Sequence, residues 1–196
     1  MKKSLALIFA ILMIFSCFTA CGNTGSDDGV LKVPQEDLSE VEYGSFENFT
    51  TIDFDGKKVT EDIFEGKKLT MINIWATFCG PCINEMPDLE RLSQEYADKD
   101  FQIIGIVCDV NYTPDGTGYD ADLYERALDI VEMTGVTYRN LLPSNSLDMI
   151  KLSEVYSVPE TIFVDEDGEI VGTNYVGSRS YDNWKYIIDS VMASID

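Results

Sequence analysis

Two cysteines separated by two residues, Cys79-Gly80-Pro81-Cys82, stand between an apolar run ending in Trp75 and a helical pattern that carries Glu85 and Pro87. Sulfur chemistry at that spacing is dithiol–disulfide exchange, because a strand-to-helix junction lifts the first sulfur to the surface and leaves the second beneath it. The thiolate is the attacking species, and a free cysteine with a pKa near about 8.5 is mostly protonated at neutral pH. Cys79 falls at the helix start, where unpaired N–H groups and the helix dipole favour negative charge, so it is the expected nucleophile. Cys82, one turn in, is the expected resolving thiol and must lose its proton in a poorly solvated place. Glu85 follows it by three residues and shares its helical face. A carboxylate there takes that proton, directly or through water, if burial raises its pKa towards neutrality. The plain alternative is a surface glutamate stabilised by the dipole.

The rest of the composition narrows the chemistry. The 196 residues contain no histidine, which excludes Cys-His and Ser-His-Asp hydrolytic machinery and most histidine-based metal sites. A hydrophobic fraction of 45% with 11% aromatic residues suffices for one packed domain. Asp109, Asn111, Thr113 and Asp115 faintly suggest a calcium loop, but Pro114 stands where glycine is needed and no glutamate closes the pattern, so no metal site is expected.

Met1-Lys2-Lys3 and the uncharged run from Leu5 to Phe18 have the form of a signal peptide over residues 1–20, and the run is too short for a comfortable transmembrane helix. Phe18-Thr19-Ala20-Cys21-Gly22 resembles the bacterial lipobox, with Cys21 as the lipidated mature N-terminus. Loss of Lys2 and Lys3 leaves 12 basic against 35 acidic residues, a formal charge of −23. Nucleic acid is excluded as a partner, and the lipid anchor rather than the acidic surface would hold the protein to a membrane. With Cys21 modified, Cys79, Cys82 and Cys108 remain, which fits one redox pair and one leftover thiol. Cys108 is expected to be a small buried hydrophobe at a strand end, although its place beside Cys79 leaves room for a third thiol near the site.

Residues 21–45 are polar and acidic and read as a flexible tether with a reach of roughly 25 to 30 Å; the alternative is an arm packed through Val30, Leu31 and Val33. The domain then spans 46–196. A strand is expected over Phe46 to Phe54, with a hairpin turn at Asp55-Gly56 and a short helical turn opened by Thr60. Lys68 to Trp75 reads as a strand buried on both faces. Ile83, Met86, Leu89, Leu92 and Tyr96 form one apolar helical stripe, which Pro87 should kink. Phe101 to Val107 is a second buried strand, parallel and adjacent to the first through a right-handed crossover. A loop over Asn111 to Asp120 precedes a helix from Ala121 to Met133. Further elements are a short strand at Tyr138 to Leu142, a helix over Leu147 to Tyr156, a hairpin of Thr161 to Val164 with Glu169 to Val176, and a last helix capped by Ser180. If the 111–120 loop borders the site, Tyr112 and Tyr119 would help select the substrate.

Trp75 to Cys82 with Glu85-Met86-Pro87 resembles the extracytoplasmic thioredoxins of the TlpA and ResA type, and the resemblance extends from about Phe46 onwards. It implies an α/β thioredoxin fold, a central mixed sheet flanked by helices with an N-terminal β-hairpin and a central helical insertion. It also implies a functional Glu85 and reduction of disulfides in exported proteins. Val158-Pro159 resembles the cis-proline loop that faces the cysteines, where Val158 offers its backbone to an extended substrate. By the same resemblance Trp75, Phe78, Gly80, Pro81, Val158 and Pro159 form the substrate-binding surface. Gly177 matches a glycine usual before the last helix, and Asn73 occupies the place of the buried aspartate of cytoplasmic thioredoxins. Two positions depart from the pattern: Phe78 replaces a tryptophan, and Glu160 replaces a threonine after the proline, adding a negative charge that would oppose thiolate formation.

Gly80-Pro81 is the dipeptide of thioredoxin, whose potential of about −270 mV contrasts with about −120 mV for the oxidant DsbA, so a reductant is expected. It would need no cofactor beyond its own dithiol and would be recharged by a membrane carrier of the CcdA or DsbD type. Its place would be the extracytoplasmic face of the bacterial cell membrane, as a lipoprotein. The rival readings are a thioredoxin-fold metal carrier using Cys79 and Cys82 as soft ligands, and a non-enzymatic binding lipoprotein. A peroxiredoxin is excluded, because Thr77 and Cys79 are two apart and the required proline is missing.

Overall fold

The computed structural model describes residues 31–195; the expected signal peptide, Cys21 and the first part of the expected tether lie outside the described residues. A five-stranded sheet runs in the order β5-β4-β3-β6-β7. Its centre is β3 (Leu69–Trp75), every residue of which is buried, as expected of a predominantly apolar strand covered on both faces. It lies parallel to β4 (Phe101–Val107) and antiparallel to β6 (Glu160–Val164). The edges are β5 (Asn140–Leu141), parallel to β4, and β7 (Ile170–Val176), antiparallel to β6.

The helix α1 (Gly80–Glu95) returns the chain from β3 to β4 as the crossover rule predicts. Met86, Leu89, Leu92 and Tyr96 are buried and Ile83 half-buried, so the predicted stripe is the one that packs; Pro87 lies inside the helix, which continues past it to Glu95. With α2 (Ala121–Thr134) and α4 (Tyr181–Ser194), α1 covers one sheet face, through a core that includes Met71, Trp75, Phe163 and Trp184. The other face carries α3 (Asn145–Ile150) and a core of Phe46, Phe49, Phe64, Ile72, Ile74 and Ile162.

The N-terminal hairpin is shorter than its sequence pattern. Extended pairing is confined to β1 (Thr51–Ile52) with β2 (Lys58–Val59). Gly44 and Asn48 adopt positive φ (82° and 58°), which breaks the expected strand and turns Phe46 and Phe49 into the core. The Asp55-Gly56 turn is present, with Gly56 at φ 74° and the buried Asp53 carboxylate accepting from the N–H groups of Asp55 and Lys57. The helix expected over Leu147 to Tyr156 starts at Asn145 and is broken at Lys151, beyond which a 3-10 turn spans Leu152–Glu154.

The tether reading to Ser45 needs correction for the residues described. Tyr119 donates its N–H to Leu31 O, and Val33 donates to Thr117 O. Leu31 and Val33 pack on the core, and the Glu36 carboxylate accepts from the N–H groups of Asn145 and Ser146 at 3.0 and 2.7 Å. The stretch reads as acidic coil because a single carboxylate at a helix start and two spaced apolar side chains leave no periodic signal.

Close packing at the sheet centre gives a direct test. A Cβ on Gly105 would stand 2.0 Å from Asn140 Oδ1 and 3.2 Å from Trp75 Nε1. Gly105→Ala is expected to destabilise the fold by about 1–3 kcal/mol through overpacking, read as a lowered midpoint of urea denaturation at unchanged m.

Candidate active site

Cys79 is the N-cap of α1, and its Sγ accepts the N–H of Cys82 at 3.2 Å. The two cysteines are joined as a disulfide. Cys79 is 5% exposed and Cys82 0%, so what solvent contact the pair has belongs to the first cysteine. Phe78, Gly80 and Pro81 beside them are exposed. Asp109, just past β4, braces the loop before Cys79: its carboxylate accepts the Thr77 N–H at 2.9 and 3.0 Å and the Thr77 hydroxyl at 2.6 Å.

Glu85 is buried, not a surface residue. One carboxylate oxygen accepts from Asn73 Nδ2 at 3.1 Å; the other accepts from Trp184 Nε1 at 3.1 Å and from the Arg179 N–H at 3.0 Å. Asn73 Nδ2 also donates to Thr161 Oγ1. Among the described residues no cationic side chain forms an ion pair with Glu85. Burial pushes its carboxyl above the usual carboxylate range, and the three hydrogen bonds oppose that shift without cancelling it. An ionisable group poised in this way on the helical face of Cys82 is suited to hold or release one proton there.

Just before β6, whose Glu160 pairs with Ile74 near the end of β3, the Val158–Pro159 bond is cis, and the Gly177 N–H donates to the Pro159 carbonyl at 2.8 Å. Glu160 is buried and pairs with the buried Lys151, Nζ to Oε1 2.6 Å, while Asn174 Nδ2 donates to the same oxygen.

With this geometry in place, the comparisons are specific. A family model described as Redoxin matches residues 42–186. The chain belongs to the Redoxin family. Among curated relatives, thiol-disulfide oxidoreductase ResA of Bacillus thuringiensis subsp. konkukian is 26% identical over 172 residues, covering 87% of this chain and 88% of that protein. The thioredoxin-like protein YneN of Bacillus subtilis is 32% identical over 123 residues, covering 63% and 65%. The thioredoxin-family thiol:disulfide interchange protein of Chlorobium tepidum matches with a TM-score of 0.59 at 20% identity, over 79% of this chain and 99% of that one. The thioredoxin domain of a thiol-disulfide oxidoreductase of Bacteroides vulgatus matches with 0.55 at 21% identity, over 78% and 99%. These last two establish the thioredoxin fold of this Redoxin-family chain.

Three expectations are corrected within the family frame. Trp75 is fully buried and its Nε1 donates to Asn140 Oδ1 at 3.0 Å, so it supports the site from below and cannot meet a substrate. Glu160 adds no uncompensated charge, because Lys151 neutralises it. Tyr119 is buried with its hydroxyl on Pro143 O, so it has no free surface to offer a substrate. Cys108 is half-buried, and burial together with the Asp109 charge pushes its thiol up to about 11, which leaves it protonated and unreactive at neutral pH.

Sequence reasoning missed Asp109, Lys151, Asn174 and Arg179, as well as the exposed Tyr156 and Val176 that flank the cis-proline. The Asp109 signal was present in the discarded calcium pattern; the others have no local signature.

The raised pKa of Glu85 makes stability depend on pH in a definite direction. A carboxyl whose folded pKa exceeds its unfolded value of about 4.3 binds its proton more tightly when folded, so its contribution is complete below the unfolded pKa and is lost as pH rises through the folded one. Melting temperature of the oxidised protein should fall across that window. In Glu85→Gln, whose amide can face a turned Asn73, this part of the decline should vanish; parallel melts over a pH series measure it.

Proposed function

We propose that this thiol-disulfide oxidoreductase is a membrane-tethered reductant of disulfides in exported proteins. The observation that carries the reading is the reachable Cys79 bonded to the wholly buried Cys82, with the buried carboxylate of Glu85 one helical turn further on. The ResA relatives, and thioredoxin-fold neighbours described as thiol:disulfide interchange proteins, support the same chemistry.

In the reduced protein the Cys79 thiolate attacks one sulfur of the substrate disulfide. The substrate S–S bond breaks, a mixed disulfide forms, and the substrate's other sulfur leaves as a thiolate that takes up a proton. Cys82 passes its proton to the Glu85 carboxylate and attacks Cys79 Sγ. The Cys79–Cys82 bond forms, and the second substrate sulfur departs and is protonated in turn, Glu85 returning its proton to solvent. Two electrons and two protons pass to the substrate, leaving the enzyme in the oxidised form seen in the structure. Restoring the dithiol needs an external dithiol donor, for which a membrane carrier of the CcdA or DsbD type is the candidate. No cofactor beyond the cysteine pair takes part.

The surface that meets the substrate comprises Phe78, Gly80, Pro81 and the half-buried Val158, with Pro159 buried beneath it, and is widened by the exposed Tyr156 and Val176. With a chain charge of −21, the reading favours neutral or basic sequence around the substrate cysteine. The Gly80-Pro81 dipeptide supports the reducing direction. Lipidation at Cys21 would place the domain on the extracytoplasmic face of the bacterial membrane.

Cys82→Ala should accumulate mixed disulfides with exported proteins through Cys79, released by dithiothreitol, and mass spectrometry of the adducts identifies the partners. Adducts through Cys82 in Cys79→Ala would reverse the assignment. Titration against glutathione should give a two-electron couple more negative than about −220 mV.

A further inference from the structure

The segment from Lys151 to Glu160 leaves the broken end of α3, passes through a 3-10 turn and enters β6 by way of cis-Pro159. Its two ends are joined by the buried ion pair, Nζ of Lys151 to Oε1 of Glu160 at 2.6 Å, with Asn174 Nδ2 on the same oxygen at 3.0 Å. Near the base the chain is bonded to itself, Glu154 N–H to Lys151 O and Val155 N–H to Leu152 O. The rim is different. Tyr156 is 93% exposed, and Tyr156, Ser157 and Val158 make no main-chain hydrogen bond to another described residue.

A buried ion pair is a poor source of stability, because the loss of hydration of two charges offsets their attraction and an apolar pair of similar volume serves as well. What it adds over an apolar pair is a fixed distance and direction. Here that constraint acts on the residue directly after Pro159, while the Gly177 N–H fixes the Pro159 carbonyl from the β7 side. The pair also lies away from the sulfur chemistry. Side chains alternate along β6: Thr161 meets Asn73 and Phe163 packs on the α1 side, whereas Ile162 and Val164 pack on the α3 side with Glu160.

We propose that Lys151 and Glu160 are positioning residues for substrate capture: their ion pair closes the base of the cis-proline loop and holds the free main chain of Val158 where a polypeptide strand can lie beside Cys79. This rests on the oxidoreductase reading and adds the element that separates protein substrates from small disulfides.

The test is Lys151→Met/Glu160→Thr, which removes both charges and leaves no buried ion unpaired. Two substrates are compared under steady-state reduction: insulin, and 2-hydroxyethyl disulfide, which is too small to reach the loop rim. The variant should keep the parent's rate with the small disulfide and its midpoint potential, while KM for insulin rises at least tenfold with kcat within twofold. A KM within twofold of the parent overturns the clamp. Should the double variant not fold, Glu160→Asp, which keeps the charge on a shorter arm, is held to the same KM criterion. A parent protein inert towards both disulfides would instead contradict the oxidoreductase reading itself.

Discussion

A carboxylate buried without an ion-pair partner among the described residues is the constraint around which this site is built. Leaving Glu85 charged and unsolvated would cost several kcal/mol, and the chain offsets that cost with donors from three separate elements: Asn73 on β3, the Arg179 main chain, and Trp184 on α4. The compensation is incomplete, so the carboxyl remains above its ordinary range. In the proposed mechanism that residue of imbalance lets it take a proton from the buried Cys82 thiol. It also accounts for Asn73, since a second carboxylate at that place would set two like charges against each other. The cost shows in Asn73 Oδ1, a buried acceptor with no partner among the described residues.

The central strands divide the work between their faces. On the α1 side, Asn73 and Thr161 surround the Glu85 carboxylate; on the α3 side, Glu160 and Lys151 close the base of the cis-proline loop. A third tie, Asp109 to Thr77, fixes the approach of the chain to Cys79 from the neighbouring strand end. The reactive sulfur is thus held by β3, by β4 through Asp109 and by its own helix, and Phe78 remains free at the surface.

What could be read from the sequence is what local pattern encodes. The β3-turn-α1 junction and the Asp165-Gly168 hairpin each depend on a few consecutive residues, the parallel pairing with β4 follows from the crossover rule, and the cis-proline was implied by the resemblance. Glu85 was placed on the helical face of Cys82 by spacing alone, yet its burial depends on Trp184 and Arg179, 99 and 94 residues away, which no local pattern announces. Trp75 was set on the substrate surface by resemblance, and its burial depends on Asn140, 65 residues away, which receives its indole N–H. Glu160 was read as an uncompensated charge because its partner sits at a helix break that the apolar pattern of 147–156 conceals. The arm from Leu31 failed the test of periodicity because it is held by single contacts.

The claim on which the account rests is that Glu85 exchanges its proton with the Cys79–Cys82 pair. Redox-difference infrared spectroscopy of the oxidised and reduced protein near neutral pH tests it directly. The account predicts a change in the carboxylic-acid carbonyl band on reduction of the disulfide that is absent in Glu85→Gln. An identical difference band in the variant, or no carboxyl signal in the parent across the neutral range, would contradict it.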